Sequence, residues 1–238
     1  MVETGPRLWS MTGLAIGLSP KHHARMNGEE RPQGGTILIA DDHPLFRQAM
    51  TMAAERAAPG CTIVEAATLD GALVAAGKAS DLRLILLDLK MPGATGYSGV
   101  AMLHAERPTV PILVVSSAEG AAPQQEVRRF GAVGFIGKEQ DLDSIEAAIA
   151  DALSGAVMGL PLAADEGVDD MAVKVATLTP TQLRVLLGVL AGRLNKQIAY
   201  DLAITEATVK AHMTAVMAKL GVQNRTQAAL AARYMTRS

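Results

Sequence analysis

The stretch TILIADDHP, residues 36–44, joins an apolar run directly to two adjacent carboxylates, Asp41 and Asp42. The run at 36–40 is short and rich in Ile and Leu, which is typical of a strand buried on both faces. Adjacent carboxylates repel each other and each prefers water, whereas a plain turn needs only one Asp or Asn. Two acids at the end of a buried strand therefore predict that a cation binds there.

Beyond this stretch, apolar runs alternate with helix-like segments as far as residue 154. The sequence predicts strands at 36–40, 61–66, 84–88, 111–115 and 133–136, and helices near 44–57, 68–79, 97–106, 123–130 and 141–154. This succession of βα units predicts an α/β fold with a doubly wound, five-stranded parallel sheet. In such a fold the active crevice lies beyond the carboxyl ends of the strands.

Polar residues stand at the carboxyl ends of four of these strands. Asp41 and Asp42 follow the first strand, Asp88 ends the third, Ser116 and Ser117 follow the fourth, and Lys138 follows the fifth. Three carboxylates make an oxygen-rich site that suits Mg²⁺. A lysine charge and a serine hydroxyl would stabilise a phosphoryl group, and Asp88, nearest the middle of the crevice, is the natural acceptor. Either serine could supply the hydroxyl, and Lys138 by itself is also compatible with an ordinary surface charge.

The last part of the chain, residues 177–238, has the pattern of a small all-α domain of four helices. Its first helix is expected in LTPTQLRVL, with Thr179 as N-cap, Pro180 at the first helical position and Gln182 completing a capping box. A second helix is expected from Asn195, and the fourth in RTQAALAARYM. Two short helices joined by a turn of about three or four residues form a helix-turn-helix unit.

The third helix of this domain, between a Thr205 cap and a Gly221 C-cap, is amphipathic. Its apolar side contains Val209, Met213, Val216, Met217 and Leu220. One face can therefore pack while the other enters a major groove. Phosphate contacts are expected from Lys196, Lys219 and Arg225. A basic helical domain with solvated lysines is the alternative interpretation.

Charge and composition separate the two parts of the chain. The net charge is −2, but residues 178–238 carry eight Lys or Arg against two Asp or Glu, so this segment is +6 and the remainder −8. A basic tail behind an acidic domain is expected when only the tail meets nucleic acid. The single cysteine, Cys61, suits a reducing cytoplasm. No apolar run approaches the length of about 18 residues that spans a bilayer, so no membrane partner is expected.

The expected domain organisation follows from these segments. Residues 1–35 are expected to be a flexible N-terminal extension, 36–154 the α/β domain, 155–176 a linker, and 177–238 the helical domain. The linker is predicted from its Gly and Pro residues and an acidic cluster.

The α/β segment resembles the receiver domains of two-component response regulators. The resemblance rests on ADDHPLFRQAM, LILLDLKMPG, PILVVSSAEG and GFIGK, and it covers roughly 36–154. It implies that Asp88 is the phosphoacceptor and that Asp41, Asp42 and Asp88 bind Mg²⁺, with the backbone carbonyl of Lys90 as a further ligand. It also implies that Ser116 is the switch hydroxyl, Phe135 the switch aromatic and Lys138 the lysine that contacts phosphate. A buried Phe135 needs no switch role to explain it.

The C-terminal segment resembles LuxR-type DNA-binding domains over their whole length, and the whole architecture resembles the NarL/FixJ class of response regulators. The resemblance implies that Lys210, Ala211 and Thr214 read bases in double-stranded DNA, with Thr208 also at the DNA. Ala211 can offer only a methyl contact, for example to thymine. Members of this class bind DNA as homodimers, partly through the last helix. Gln182 replaces an acidic residue usual in the family, which weakens any inference about RNA polymerase contacts.

The sequence therefore predicts a transcription factor, not an enzyme, in which a sensor histidine kinase or a small phosphodonor phosphorylates Asp88. The added charge would shift an equilibrium between closed and DNA-competent arrangements. The main alternative is a phosphorylation-independent transcription factor whose receiver is controlled by a protein partner. A phosphohydrolase with an Asp nucleophile would need a second acid two residues later, where Lys90 stands. Lys90 is also expected to alter the dephosphorylation rate, in a direction that the sequence leaves open.

Overall fold

The computed structural model describes residues 34–117, 121–155 and 170–236. The predicted N-terminal extension, apart from its last two residues, and most of the predicted linker lie outside the described residues.

The described part of the α/β domain contains one parallel sheet. Its strands are β1 Thr36–Ala40, β2 Thr62–Ala66, β3 Leu82–Leu87, β4 Ile112–Ser116 and β5 Gly134–Gly137. Their order across the sheet is β2-β1-β3-β4-β5. Because the chain runs outward in opposite directions from β1 and β3, the connections after these two neighbouring strands diverge and leave a crevice at their carboxyl ends.

The helices of this domain cover the two faces of the sheet, and they are α1 Pro44–Ala57, α2 Leu69–Lys78, α3 Ser98–Glu106, α4 Ala121–Arg129 and α5 Leu142–Ser154. Alternate strand residues serve different faces, as the pleat requires. Ile37 and Ile39 belong to the buried cluster shared with α1 and α5, whereas Leu38 and Ala40 belong to the cluster shared with α2 and α3. The four consecutive apolar residues at 37–40 are thereby explained, since both faces of the strand are covered.

The C-terminal domain is helical, with α6 Asp170–Ala176, α7 Pro180–Leu190, α8 Asn195–Asp201, α9 Glu206–Leu220 and α10 Arg225–Thr236. The predicted capping box of α7 is present, with Thr179 Oγ1 accepting from the Gln182 amide and Gln182 Oε1 accepting from the Thr179 amide. Thr205 caps α9, and Gly221 ends it in the left-handed conformation with φ of +71°. These caps fix where the domain's helices begin and end.

Most predicted helix and strand boundaries differ from the observed ones by one or two residues, and two differences affect the domains and the site. The last seven residues of the expected linker form α6, which packs against α9 and α10. Ala172 and Val175 are buried there, so apolar residues at helical spacing outweigh the acidic residues that suggested a linker. The third strand spans Leu82–Leu87 instead of 84–88, so Asp88 stands just beyond it.

Candidate functional site

The carboxyl ends of β1 and β3 bring two distant acids together. The Asp88 amide donates to the Ala40 carbonyl at 2.8 Å, so Asp41 and Asp88 leave the sheet side by side. Both residues are almost completely inaccessible, with relative exposures of 0% for Asp41 and 1% for Asp88. Two buried carboxylates this close require a positive charge nearby, because each would otherwise lose its hydration without compensation.

Lys138, which follows β5, supplies that charge. Its Nζ lies 2.6 Å from Asp41 Oδ2 and 2.8 Å from Asp88 Oδ2. The Lys138 amide also donates to the Ser116 carbonyl at 3.0 Å, which anchors the lysine to the end of β4. The sequence prediction that these strand ends converge is thus confirmed in the geometry, and the lysine bridges both acids.

Phe46 on α1 and His43 just before it complete the surroundings, and sequence reasoning did not identify either as part of the site. The Phe46 ring centroid lies 4.7 Å from Lys138 Nζ, a cation–π contact. His43 Nδ1 lies 2.8 Å from Asp42 Oδ1 and 3.4 Å from Asp41 Oδ1. Both residues are within five positions of the acids, and that proximity is the only signal the sequence offered.

The acidic strand edge, which we define as Asp41, Asp42, His43 and Asp88, can hold a metal ion. One ligand atom from each residue lies within 4.8 Å of the others. Among the described residues, the buried Asp41 Oδ2 and Asp42 Oδ1 accept no hydrogen bond of standard geometry, although Lys138 Nζ lies 2.6 Å from the first and His43 Nδ1 lies 2.8 Å from the second. Buried oxygens without hydrogen bonds are costly unless a ligand uses them. A set dominated by carboxylate oxygens is chemically suited to Mg²⁺.

Lys90, Ser116 and Phe135 differ in their surroundings. The Lys90 amide donates to Asp88 Oδ1 at 3.1 Å, while the Lys90 side chain is exposed. Ser116 is fully buried and its hydroxyl has no hydrogen-bond partner among the described residues, whereas the neighbouring Ser117 is exposed. Phe135 is half-buried and packs against the cluster on the α2–α3 face of the sheet.

The loop that follows Asp88 ends at a contact with the helical domain. The Tyr97 amide donates to the carbonyl of Met235 at 2.6 Å, and helix α3, which starts next to it, packs against α6, α7 and α10. The Tyr97 ring stacks on Phe130 with 5.7 Å between centroids. Burial, and secondarily the charge of Glu126, raises the pKa of the Tyr97 hydroxyl. The acidic strand edge is therefore joined to the helical domain by one short loop.

The outer face of α9 is accessible. Lys210, Ala211 and Thr214 are exposed, while Val209, Met213, Val216 and Leu220 are buried as the amphipathic pattern predicted. Thr208 is half-buried, and its hydroxyl lies 2.8 Å from that of Thr205. This exposed face of the helix can therefore approach a major groove.

The three basic residues expected at phosphates differ in their surroundings. Lys196 is exposed at the start of α8. Lys219 Nζ donates to the Thr177 carbonyl at 2.8 Å, so it joins α9 to the end of α6. Arg225 is half-buried and donates to Asn195 Oδ1 at 2.6 Å and to the Arg193 carbonyl. Two of the three therefore also hold the domain together, which the sequence did not reveal.

Comparison with known proteins agrees with the division of the chain into an α/β domain and a helical domain. The chain matches the response regulator receiver domain over residues 37–150 and the bacterial regulatory proteins of the luxR family over residues 176–232. It is 42% identical over 207 residues to a glycerol metabolism activator of Pseudomonas putida, covering 82% of this chain and 94% of the relative. It is 29% identical over 204 residues to the nitrate/nitrite response regulator NarL of Escherichia coli K12, covering 82% and 93%.

Among solved structures, full-length FixJ from B. japonicum aligns with 84% of this chain and 97% of its own, at 27% identity and a TM-score of 0.45. Among the described residues, no helix is both long enough and apolar enough to span a membrane.

The receiver match, the LuxR-type match and the 42% identical relative together show the family. The chain belongs to the response regulators that join a receiver to a LuxR-type DNA-binding domain, and it is a phosphorylation-controlled transcriptional regulator.

Proposed function

We propose that Asp88 accepts a phosphoryl group from a sensor histidine kinase or a small phosphodonor. A carboxylate oxygen of Asp88 would attack phosphorus while the bond to the donor atom breaks, and the donor keeps the electron pair. The observation that carries the proposal is the position of Lys138 Nζ, within 2.8 Å of both Asp41 and Asp88. An ammonium held at this place can neutralise charge on the transferred group.

Asp41, Asp42, Asp88 and the Lys90 carbonyl are the proposed ligands of Mg²⁺. The convergence of Asp41, Asp42 and Asp88, with donor atoms within 4.8 Å of one another, supports this assignment. Bound Mg²⁺ would neutralise phosphoryl oxygens during transfer. The protein's own contribution is to hold Asp88 in place, through the Lys90 amide on Oδ1 and Lys138 on Oδ2.

Ser116, Phe135 and Lys138 form the proposed switch. The buried Ser116 hydroxyl has no hydrogen-bond partner in the described structure and can donate to a phosphoryl oxygen. Because the Lys138 amide is bonded to Ser116, both residues would move together toward added charge. The loop from Asp88 to Tyr97 offers a second route, since the Tyr97 amide contacts the end of α10. Phosphorylation would thereby weaken the contact between the receiver and the DNA-binding domain.

The proposed DNA surface consists of Lys196, Thr208, Lys210, Ala211, Thr214, Lys219 and Arg225. Exposure of Lys210, Ala211 and Thr214 on one face of α9 supports base reading by these three. We place the protein in the cytoplasm, as a homodimer on a two-fold site in double-stranded DNA. The name of the 42% identical relative supports activation of transcription, which would involve RNA polymerase. Asp88 is modified in this scheme, and we assign the chain no enzymatic activity of its own.

The experiment that tests this function is a selection of DNA duplexes from a random pool by the full-length chain, with and without a small phosphodonor and Mg²⁺. We expect the phosphorylated chain to enrich a two-fold sequence that the untreated chain enriches weakly. The Asp88→Asn chain should not respond to the phosphodonor. Equal enrichment of one sequence by all three samples would instead support a receiver controlled without phosphate.

A further inference from the structure

We propose that Phe46 is a positioning residue for the phosphorylation of Asp88, because its ring holds the Lys138 ammonium at the acidic strand edge. This inference rests on the proposed function, in which Lys138 neutralises charge on the transferred phosphoryl group. The Phe46 ring centroid lies 4.7 Å from Lys138 Nζ. An ammonium over the face of an aromatic ring is attracted by the negative charge of that face, and the attraction is stronger where water is excluded.

The ion pairs of Lys138 change during the proposed reaction, whereas its contact with the ring does not. Its ammonium pairs with the Oδ2 atoms of Asp41 and Asp88, at 2.6 and 2.8 Å. Both carboxylates are proposed Mg²⁺ ligands, and one Asp88 oxygen becomes bonded to phosphorus, so their attraction for the ammonium falls. The lysine side chain is only 14% exposed, so water compensates this loss only in part. The ring is the partner that stays.

The first turn of α1 sets the position of Phe46. This helix starts at Pro44, and the Arg47 amide donates to the His43 carbonyl at 3.0 Å. The Arg47 guanidinium donates to the Asp41 carbonyl at 2.8 Å, which ties the same turn to the end of β1. Phe46 itself is half-buried and packs against the apolar cluster between the sheet and helices α1 and α5. The ring is therefore held beside the acids by its own turn and by packing.

Removal of the ring should slow phosphorylation while the acids stay in place. In Phe46→Leu an aliphatic side chain fills part of the space, but the ammonium loses its aromatic partner. The maximal rate of phosphorylation should fall about 5- to 30-fold, which corresponds to about 1–2 kcal/mol. Phe46→Tyr keeps an aromatic face and should retain the native rate within about 2-fold. The contrast between these two variants separates the ring's attraction for the ammonium from simple space filling.

The test measures adduct formation by intact mass over time, with Mg²⁺ and increasing acetyl phosphate, for the full-length native, Phe46→Leu and Phe46→Tyr chains. Calorimetric titration of the same chains with Mg²⁺ shows whether the acids are intact, and the Mg²⁺ affinity should not fall. Proton NMR of the native chain reports the contact directly, because protons over an aromatic ring are shifted upfield. The Lys138 ε protons should be upfield of those of the exposed Lys90, and this shift should disappear in Phe46→Leu.

Several results would overturn the inference and leave the proposed function intact. One is an unchanged phosphorylation rate in Phe46→Leu, and another is the absence of the upfield shift at Lys138 in the native chain. Equal slowing in Phe46→Leu and Phe46→Tyr, or slowing with a parallel loss of Mg²⁺ affinity, would show that the substitution disturbs the packing of the acids. A native chain that forms no adduct contradicts the proposed function itself, and the inference then falls with it.

Discussion

The acidic strand edge and the outer face of α9 both use polar side chains, but they differ in burial. Asp41 and Asp88 are at most 1% exposed and touch Lys138, whereas Lys210, Ala211 and Thr214 on α9 are exposed. A buried charge depends on its partners, because water cannot replace them. The exposed side chains of Lys210, Ala211 and Thr214 are in contact with water and need no buried partner. Substitutions at the first region should therefore change folding and signalling together, and substitutions at the second should change binding only.

The largest expected effect is that of Lys138→Met. It leaves two buried carboxylates without their common cation, so the free energy of unfolding should fall by about 3 kcal/mol. Millimolar Mg²⁺ should restore part of the loss, because a cation again separates the acids. Urea unfolding with and without Mg²⁺ measures both the loss of stability and its partial recovery. Lys90→Met is the matched control and should cost less than about 0.5 kcal/mol, since that side chain is exposed. Equal losses of unfolding free energy in Lys138→Met and Lys90→Met would contradict the expected difference between the buried and the exposed lysine.

The next effect is on DNA affinity. Lys210→Ala should weaken binding to a selected duplex by about 1–3 kcal/mol, with stability unchanged, because Lys210 is exposed on α9. Fluorescence anisotropy of the labelled duplex measures the affinity. Lys78→Ala removes the same charge from an exposed position on α2 and should leave affinity unchanged at moderate salt. Similar weakening by both variants would mean that net charge, and not the α9 face, governs binding.

Arg225→Ala tests whether a half-buried basic residue stabilises the DNA-binding domain. Its guanidinium donates to Asn195 Oδ1 and the Arg193 carbonyl, so its loss should lower the free energy of unfolding by about 1–2 kcal/mol. Arg233→Ala, at an exposed position of the same helix, is the control and should have little effect on stability. Thermal unfolding of the two variants would decide whether Arg225 is structural as well as a phosphate contact.

The smallest expected effect concerns His104 on α3. Burial lowers the pKa of its imidazole, and its buried Nδ1 has no hydrogen-bond partner in the part of the chain that the structure describes. The unfolded chain therefore binds a proton more readily, so this contribution to stability is present above about pH 6.5 and is lost as the pH falls toward the lowered pKa. The loss should be at most about 0.5 kcal/mol for a partly solvated group. The free energy of unfolding, measured at pH 7.5 and pH 5.5, should show this loss in the native chain and not in His104→Gln.

The acidic strand edge was largely predictable because parallel strands end at one edge of a sheet. Runs of Ile, Leu and Val located the strands, and the polar residues after them then had to converge. The contacts of His43 and Phe46 were not predictable, because side-chain directions decide them. The bond from Tyr97 to Met235 joins residues far apart in sequence, and no local pattern indicates it. Helix α6 was missed because acidic residues beside it obscured two buried apolar positions.

The central claim is that Asp88 at the acidic strand edge carries the signal as a phosphoryl group. Its most direct test is the intact mass of the native chain and of Asp88→Asn after incubation with Mg²⁺ and a small phosphodonor. We predict a single phosphoryl adduct on the native chain and none on the variant. The absence of an adduct on the native chain, under conditions that label an ordinary receiver, would contradict the claim and direct attention to a protein partner at the receiver.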